Sequence, residues 1–359
     1  MPIYIYAIIL FILFLLELGY FRIAERYNII DRPNERSSHS NVVLRGAGVI
    51  FTLAVILFCV FRFFSGVGEC YPWFVAGLTL IAAVSFADDV RSLPDSVRLV
   101  AQFVAMALMF YQVVAGTLSQ DGSMLWNIVH RYPGWLGYVI IALIALVAMI
   151  ICVGATNIFN FMDGINGITA AYGFSALVSL FIANRYVAGF IDEALIVVSM
   201  LSVAVFALFN FREKGKAKCF AGDVGAVGIA FILLFAIGKL VMATGDATWL
   251  IFLLLYGVDG CMTICHRILL HENLGQAHRK HAYQLMANEL GLSHPAVSLI
   301  FMFIQSAISL GFIFLCPNTV KAHLIYLIVA LAVLCLGYLI FMKKYYHLHE
   351  KYLLSLKNK

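Results

Sequence analysis

The sequence predicts an all-α, polytopic integral membrane protein of about 10–11 transmembrane helices, and three observations carry that prediction. Of 359 residues, 63% are hydrophobic and only 12% charged, against the ~25% charge of a soluble domain. The mean hydropathy is +0.95, and a water-soluble fold of this length cannot cover so much apolar surface without large sticky patches. The apolar runs match the ~20 residues that a bilayer crossing requires. They are apolar all round rather than at every second position, which favours helices over a lipid-facing barrel.

In order, the runs place spans at 2–24, 46–64, 71–87, 99–118, 134–154, 167–186, 190–209, 223–243, 247–266, 294–316 and 321–341. Eleven is the expected number, within one. The first run is too long for a signal-peptide core and lacks a basic segment before it. Arg22 and Arg26 follow it, so it reads as a retained helix. No internal repeat or low-complexity segment interrupts the series, and the chain reads as a single membrane-embedded domain over 1–359. The eight cysteines lie mostly within apolar runs without CxxC spacing, and read as small hydrophobes. A formal charge of +5, dispersed along the chain, gives no support to a nucleic-acid partner.

Lys and Arg set the expected orientation. With the amino terminus outside, the inner segments 22–45, 88–98, 155–166, 210–222, 267–293 and 342–359 hold 19 of the 24 basic residues, as the positive-inside rule requires. The carboxyl terminus is then cytoplasmic. The segments too specific for plain connectors are DRPNERSSHS, FADDVRSLPDSVR, TNIFNFMDGINGI, FNFREKGKAKCFAGDVG and ENLGQAHRKHAYQ, and all fall in the five inner loops or their flanking helix ends. The outer loops, such as 65–70 and 243–248, are short and chemically bland. A working face toward the cytoplasm follows.

That face carries Asp88, Asp89, Asp163 and Asp223, each at a membrane edge. Several carboxylates near hydrocarbon repel one another and are costly unless a cation neutralises them. With carboxamides Asn157, Asn160, Asn166 and Asn210 nearby and no zinc spacing, the donors are all oxygen, which favours Mg2+ or Mn2+. Magnesium completes its shell with water and substrate phosphate. The same face offers Arg45, Arg91, Arg98, Lys214, Lys216, Lys218, Arg279 and Lys280 as phosphate-binding cations.

Each feature taken alone has a plainer explanation. Asp88–Asp89 reads equally as a solvated helix end, the 212–218 basic run as a topology signal, His278 and His281 as interfacial residues, and Phe220 as packing. Glu17 and Asp259, inside spans, can be satisfied by neighbouring helices or line a pathway. The joint placement of five polar segments on one face favours a site.

The ordered segments FADDVRSLPDSVRLVAQ, NIFNFMDGINGI and FAGDVGAVG resemble the signatures of the polyprenyl-phosphate N-acetylhexosamine-1-phosphate transferases, the MraY/WecA-like glycosyltransferase family 4. The likeness runs from about Asp31 to His294, and QAHRKHAYQ looks like the WecA/WbpL branch. The resemblance implies Mg2+-dependent transfer of a sugar 1-phosphate from a UDP-N-acetylhexosamine to undecaprenyl phosphate in a bacterial inner membrane. UMP is released, and an O-antigen- or capsule-type polysaccharide is initiated. It implies Asp223 and Asn160 as metal ligands and Asp88, Asp89 and Asp163 as catalytic carboxylates, with Asp88 handling the acceptor phosphate. Asn166, Phe220 and Asn210 would meet the nucleotide; His278, Arg279, His281 and Arg98 would meet phosphate or sugar. Asn166 stands where many relatives carry Asp. Membrane lipid is a further implied partner, with a homodimer left open.

The main rival is a cation- or proton-coupled transporter, which also places acids in membrane helices. No pair of similar halves is visible, and the acids gather at helix ends rather than at the midplane. An intramembrane aspartyl protease would need Gly where Phe220 stands, and a CDP-alcohol phosphotransferase would need Ala-Arg after the DG of DGINGI.

Overall fold

The computed structural model describes residues 1–31, 42–115, 123–132, 134–276 and 278–357, so most of the DRPNERSSHS segment lies outside the described residues. In chain order the helices are α1 (Ile3–Arg26), α2 (Val49–Ser65), α3 (Pro72–Val90), α4 (Asp95–Val114), α5 (Met124–Arg131), α6 (Leu136–Met162), α7 (Ile168–Tyr186), α8 (Glu193–Asn210) and α9 (Gly222–Thr244). A 3-10 segment, Ala247–Leu253, leads into α10 (Leu254–Leu269), and α11 (Ala282–Asn288), α12 (His294–Phe314) and α13 (Val320–Lys357) complete the chain. Among the described residues, ten segments are long and apolar enough to cross a membrane. The apolar α2, where an eleventh span is expected, is shorter, at 17 residues. This is an all-α, multi-pass membrane architecture. One two-stranded antiparallel ribbon accompanies it, β1 (Ile30–Asp31) paired with β2 (Val43–Leu44).

The helix α9 forms the centre. It packs against α2, α3, α4, α6 and α7 and is buried on every side, which its sequence permits because small residues let neighbouring backbones approach closely. At Gly48 and Gly225 the approach is so tight that a Cβ added to Gly48 would lie 2.4 Å from the Gly225 Cα. The last residue of the 3-10 segment and the first of α10 change ladder type, which frees backbone groups in a dry interior. Gln305 of α12 satisfies both sides, accepting from Leu255 N at 3.1 Å and donating to Ile251 O at 2.9 Å.

Two span boundaries differ from expectation. The helix α6 continues eight residues past 154, because Val153, Thr156, Phe159 and Met162 present a buried face at helical spacing. Asn157 and Asn160 therefore stand on a helix rather than in a loop. The helix α13 runs on to Lys357 instead of ending near 341. Of the two expectations for Glu17, satisfaction by neighbouring helices is not met: it is fully buried, and among the described residues neither carboxylate oxygen has a hydrogen-bond partner. Asp259 meets that expectation, accepting from Thr263 Oγ1 at 3.2 Å and from the N–H of Ala282 at 3.1 Å. The 243–248 loop is not bland, since Asp246 caps the 3-10 segment and lies 2.6 Å from His323 Nδ1.

Candidate active site

Backbone pairing brings the first polar loop to the central helix. Leu44 bridges Cys219, Phe220 N donates to Leu44 O at 2.8 Å, and Ala47 N and Gly48 N donate to Phe220 O and Ala221 O at 3.0 and 3.1 Å. The hydroxyl of Tyr20, on α1, donates to the carbonyl of Arg45. Held this way, the Arg45 guanidinium lies 2.7 Å from Asp89 and 3.0 Å from Asp223. Burial would lower the Arg45 pKa, but the carboxylates of Asp89 and Asp223 outweigh it and raise the group above its ordinary value.

Asp88 and Asp89 are adjacent on α3 but point to different partners, as consecutive helical positions must. Asp89 accepts the Asp223 N–H at 2.9 Å and the Val224 N–H at 3.0 Å, so it caps the start of α9. Gly222, at φ +69°, sits so near that a Cβ would lie 2.5 Å from the Asp89 carboxylate. Asp88 accepts from Leu93 N at 2.6 Å and from Arg98 at 3.1 Å. The same Arg98 nitrogen lies 3.2 Å from Asp223, and Asn160 donates to Asp223 at 3.2 Å. Arg45, Arg98 of α4 and Asn160 of α6 thus converge on the Asp223 carboxylate of α9, with Asp88 of α3 holding Arg98 from behind.

Two cavities meet at this point, with Asn160 in the wall of both. The first, about 320 Å3, is lined by Asp163, Asn166, Asn210, Phe220 and Asp223, together with Asp31, Arg45, Gln284 and His294. Burial pushes the Asp163 carboxyl up to about 6, against the opposing hydrogen bond from Thr169. Asn166 donates to the carbonyls of Arg212 and Glu213, and Asn210 accepts from Gly167 N and donates to Cys219 O. These amides hold three loops together at the cavity rim. The second cavity, about 430 Å3, is lined by Asp95, Arg98, Gln102, Asn157, Phe161, Leu274, His278 and His281. Burial, then the neighbouring His281, lowers the His278 pKa to about 3, so His278 is neutral at pH 7.

The expected residues do not all reach the cavity walls. Asp88 and Asp89 lie behind them, gripping Arg98, Arg45 and the α9 amides. Arg279 points away from both cavities, with its guanidinium 3.0 Å from Glu289 and 4.2 Å from the Tyr352 ring centre. His294, Gln284 and Tyr20 were not anticipated. His294 had a local signal, because Ser293 and Pro295 mark a helix start at the inner end of a span. Tyr20 had none.

The donors around Asp223 and Asn160 are carboxylate and carboxamide oxygens, with Asp163 in the same cavity. Among the described residues no three His, Cys, Asp or Glu side chains form a ready-made metal cluster. A hard cation such as Mg2+, which takes one or two protein carboxylates and completes its shell from phosphate and water, fits such a sparse oxygen set. Zinc does not.

A multi-pass helical membrane protein with an acidic and cationic centre at one end of its bundle is thereby defined. Residues 71–243, just under half the chain, match the model of glycosyl transferase family 4. The match supports that family, and transferase chemistry, for this chain. It spans Asp88, Arg98, Asn160, Asp163 and Asp223 but not Arg45 or the 272–294 region. No curated protein matches the chain.

Proposed function

We propose that this protein transfers a sugar 1-phosphate from a UDP-N-acetylhexosamine to undecaprenyl phosphate, releasing UMP and starting a cell-surface polysaccharide of O-antigen or capsule type. The reading takes the whole chain as one catalytic unit of the WecA/WbpL kind. It sits in a bacterial cytoplasmic membrane with the site and carboxyl terminus toward the cytoplasm. The observation that carries the reading is Arg98, in the wall of the second cavity, held between Asp88 and Asp223, the latter in the wall of the first beside Arg45, because a transfer between two phosphorylated substrates calls for a cationic group in each of two adjoining chambers.

In this reading Asp223 and Asn160 hold Mg2+, with Asp163 nearby. The ion supplies charge neutralisation to the diphosphate and the UMP leaving group. The residues of the chain do the rest. Arg45 and Arg98 are already ordered by carboxylates, so they meet developing negative charge without reorganising, the main source of rate in phosphoryl transfer. Asn166, Asn210 and Phe220 line the wall suited to a uracil, the two amides bracing its rim through backbone hydrogen bonds and the ring offering a face. Neutral His278 offers the second chamber hydrogen bonds without added charge, and His281 lies beside it in the same wall. The acceptor is a phosphate monoester with a second pKa near ~6, mostly dianionic at pH 7, so a strong general base is not required.

The test is a panel of UDP-sugars (GlcNAc, GalNAc, FucNAc and QuiNAc) given to purified protein with Mg2+ and undecaprenyl phosphate. UMP and a lipid-linked diphosphate sugar in equal amounts from at least one donor are expected. Absence of both with every donor, from folded protein, rejects the reaction.

A further inference from the structure

The helix α13 is longer than a membrane needs. Its 38 residues extend ~57 Å at ~1.5 Å per residue, nearly twice the ~30 Å hydrocarbon thickness. The apolar run closes at Phe341, and Lys343, Lys344 and Lys351 follow. The overhang does not stand free. It packs on α10 and α11, and its polar contacts reach Arg279 and Lys280 of the loop between them and Glu289 just after α11.

At the centre of that contact is Glu289, directly after α11. Its Oε1 lies 3.0 Å from Arg279 and 3.0 Å from His349 Nδ1, and the Glu289 and His349 side chains are 4% and 2% exposed. Tyr352, one turn further along α13, carries the Arg279 guanidinium 4.2 Å over its ring. Tyr346 sits 5.8 Å from the Lys280 ammonium and edge-on to His266. From the other side Arg267, itself buried, donates to the carbonyls of Asn273, Leu274 and Gln276, while Lys280 pairs with Glu272. The loop gripped between them supplies Leu274, Gly275, Gln276, His278 and His281 to the second cavity.

We propose that the overhang of α13 is a positioning element. His349 and Tyr352 hold Arg279 and Glu289, and through them set the wall that the 272–281 loop presents to the donor substrate, without touching substrate themselves. This rests on the transferase reading for its kinetic consequence but not for its structural one. A buried ion pair assembled with an imidazole and an aromatic face is costly to build from a mobile tail. Its cost is understandable if a loop must be held in one arrangement.

The test uses the full-length protein with His349→Ala, Tyr352→Ala and Tyr352→Phe. Amide hydrogen exchange over 272–281 is expected to quicken about tenfold in both alanine variants, with 160–168 unchanged, and to stay at the wild-type rate in Tyr352→Phe, which keeps the cation–π face. In the same alanine variants the KM for the UDP-sugar should rise about tenfold, with kcat within about twofold of wild type. Unchanged exchange over 272–281 overturns the proposal. So does quickening that spreads equally to 160–168, which would make the tail a general stabiliser, or a fall in kcat at constant KM. If the wild type releases no UMP from any donor, the reaction assignment fails, and the exchange result alone decides the positioning role.

Discussion

Asp89 accepts hydrogen bonds from the backbone N–H of Asp223 and of its neighbour Val224, so the end of one span caps the start of another 134 residues later. The cap explains why two adjacent carboxylates are needed on α3. Asp89 holds the α9 terminus and Arg45 in place, and Asp88 holds Arg98. Asp89→Ala leaves two amides without their acceptor and Arg45 with Asp223 as its remaining carboxylate partner, and is expected to cost about 3 kcal/mol. Asp89→Asn, which keeps one acceptor oxygen, should lose less. Thermal unfolding of the detergent-solubilised protein, compared with Asp88→Asn, checks the order; equal melting temperatures for Asp89→Ala and wild type would reject the capping role.

Arg98 touches Asp88, Asp95 and Asp223 at once. A lysine has one compact charge and cannot span all three carboxylates. Arg98→Lys is expected to lower kcat roughly tenfold and Arg98→Met about a hundredfold, since an ordered cation at developing charge is worth that much. Initial rates of UMP release at saturating substrates read this directly.

Each of the ten candidate spans among the described residues overlaps an apolar run read from the sequence, because membrane length imposes a minimum apolar run. Hydropathy missed the end of α6 because Asn157 and Asn160 are polar yet sit on a helix whose opposite face is buried by Phe159 and Met162. It missed the α13 overhang because a charged helix outside the membrane looks like a loop in composition. At the site, Asn160, Asp163, Asn166, Asn210, Phe220 and Asp223 were legible as cavity residues because their motifs are local. Arg279 was not, since nothing in HRKH says that its histidines face the cavity while Arg279 turns to Tyr352 of a later helix.

Glu17 presents both carboxylate oxygens to a closed environment without a partner among the described residues, and an unsatisfied buried polar group costs about 1–3 kcal/mol. Glu17→Leu, close in volume, is therefore expected to raise the melting temperature by a few degrees and to leave UMP release unaffected. A lowered melting temperature would show that the carboxyl contributes to the fold.

At the opposite end of the bundle, burial raises the Asp246 pKa, but hydrogen bonds from Thr248 and the contact with His323 outweigh it and hold the carboxyl below its ordinary value of 3.8. A depressed carboxylate contributes stability that is present above its unfolded pKa and lost as pH falls through the folded one. The wild type should therefore lose part of its stability below about pH 4, and Asp246→Asn should show a shallower acid limb. Melting temperatures from pH 7 to 3 give the comparison; parallel curves would exclude Asp246 as a contributor.

The central claim is that four distant segments build one phosphotransfer centre around Asp223. Its most direct measurement is single-turnover UMP formation by Asp223→Ala, whose folding is verified by its melting curve, beside the wild type with Mg2+ and undecaprenyl phosphate. The account predicts loss of turnover by a factor of at least about a thousand. Turnover by folded Asp223→Ala at the wild-type rate would contradict it.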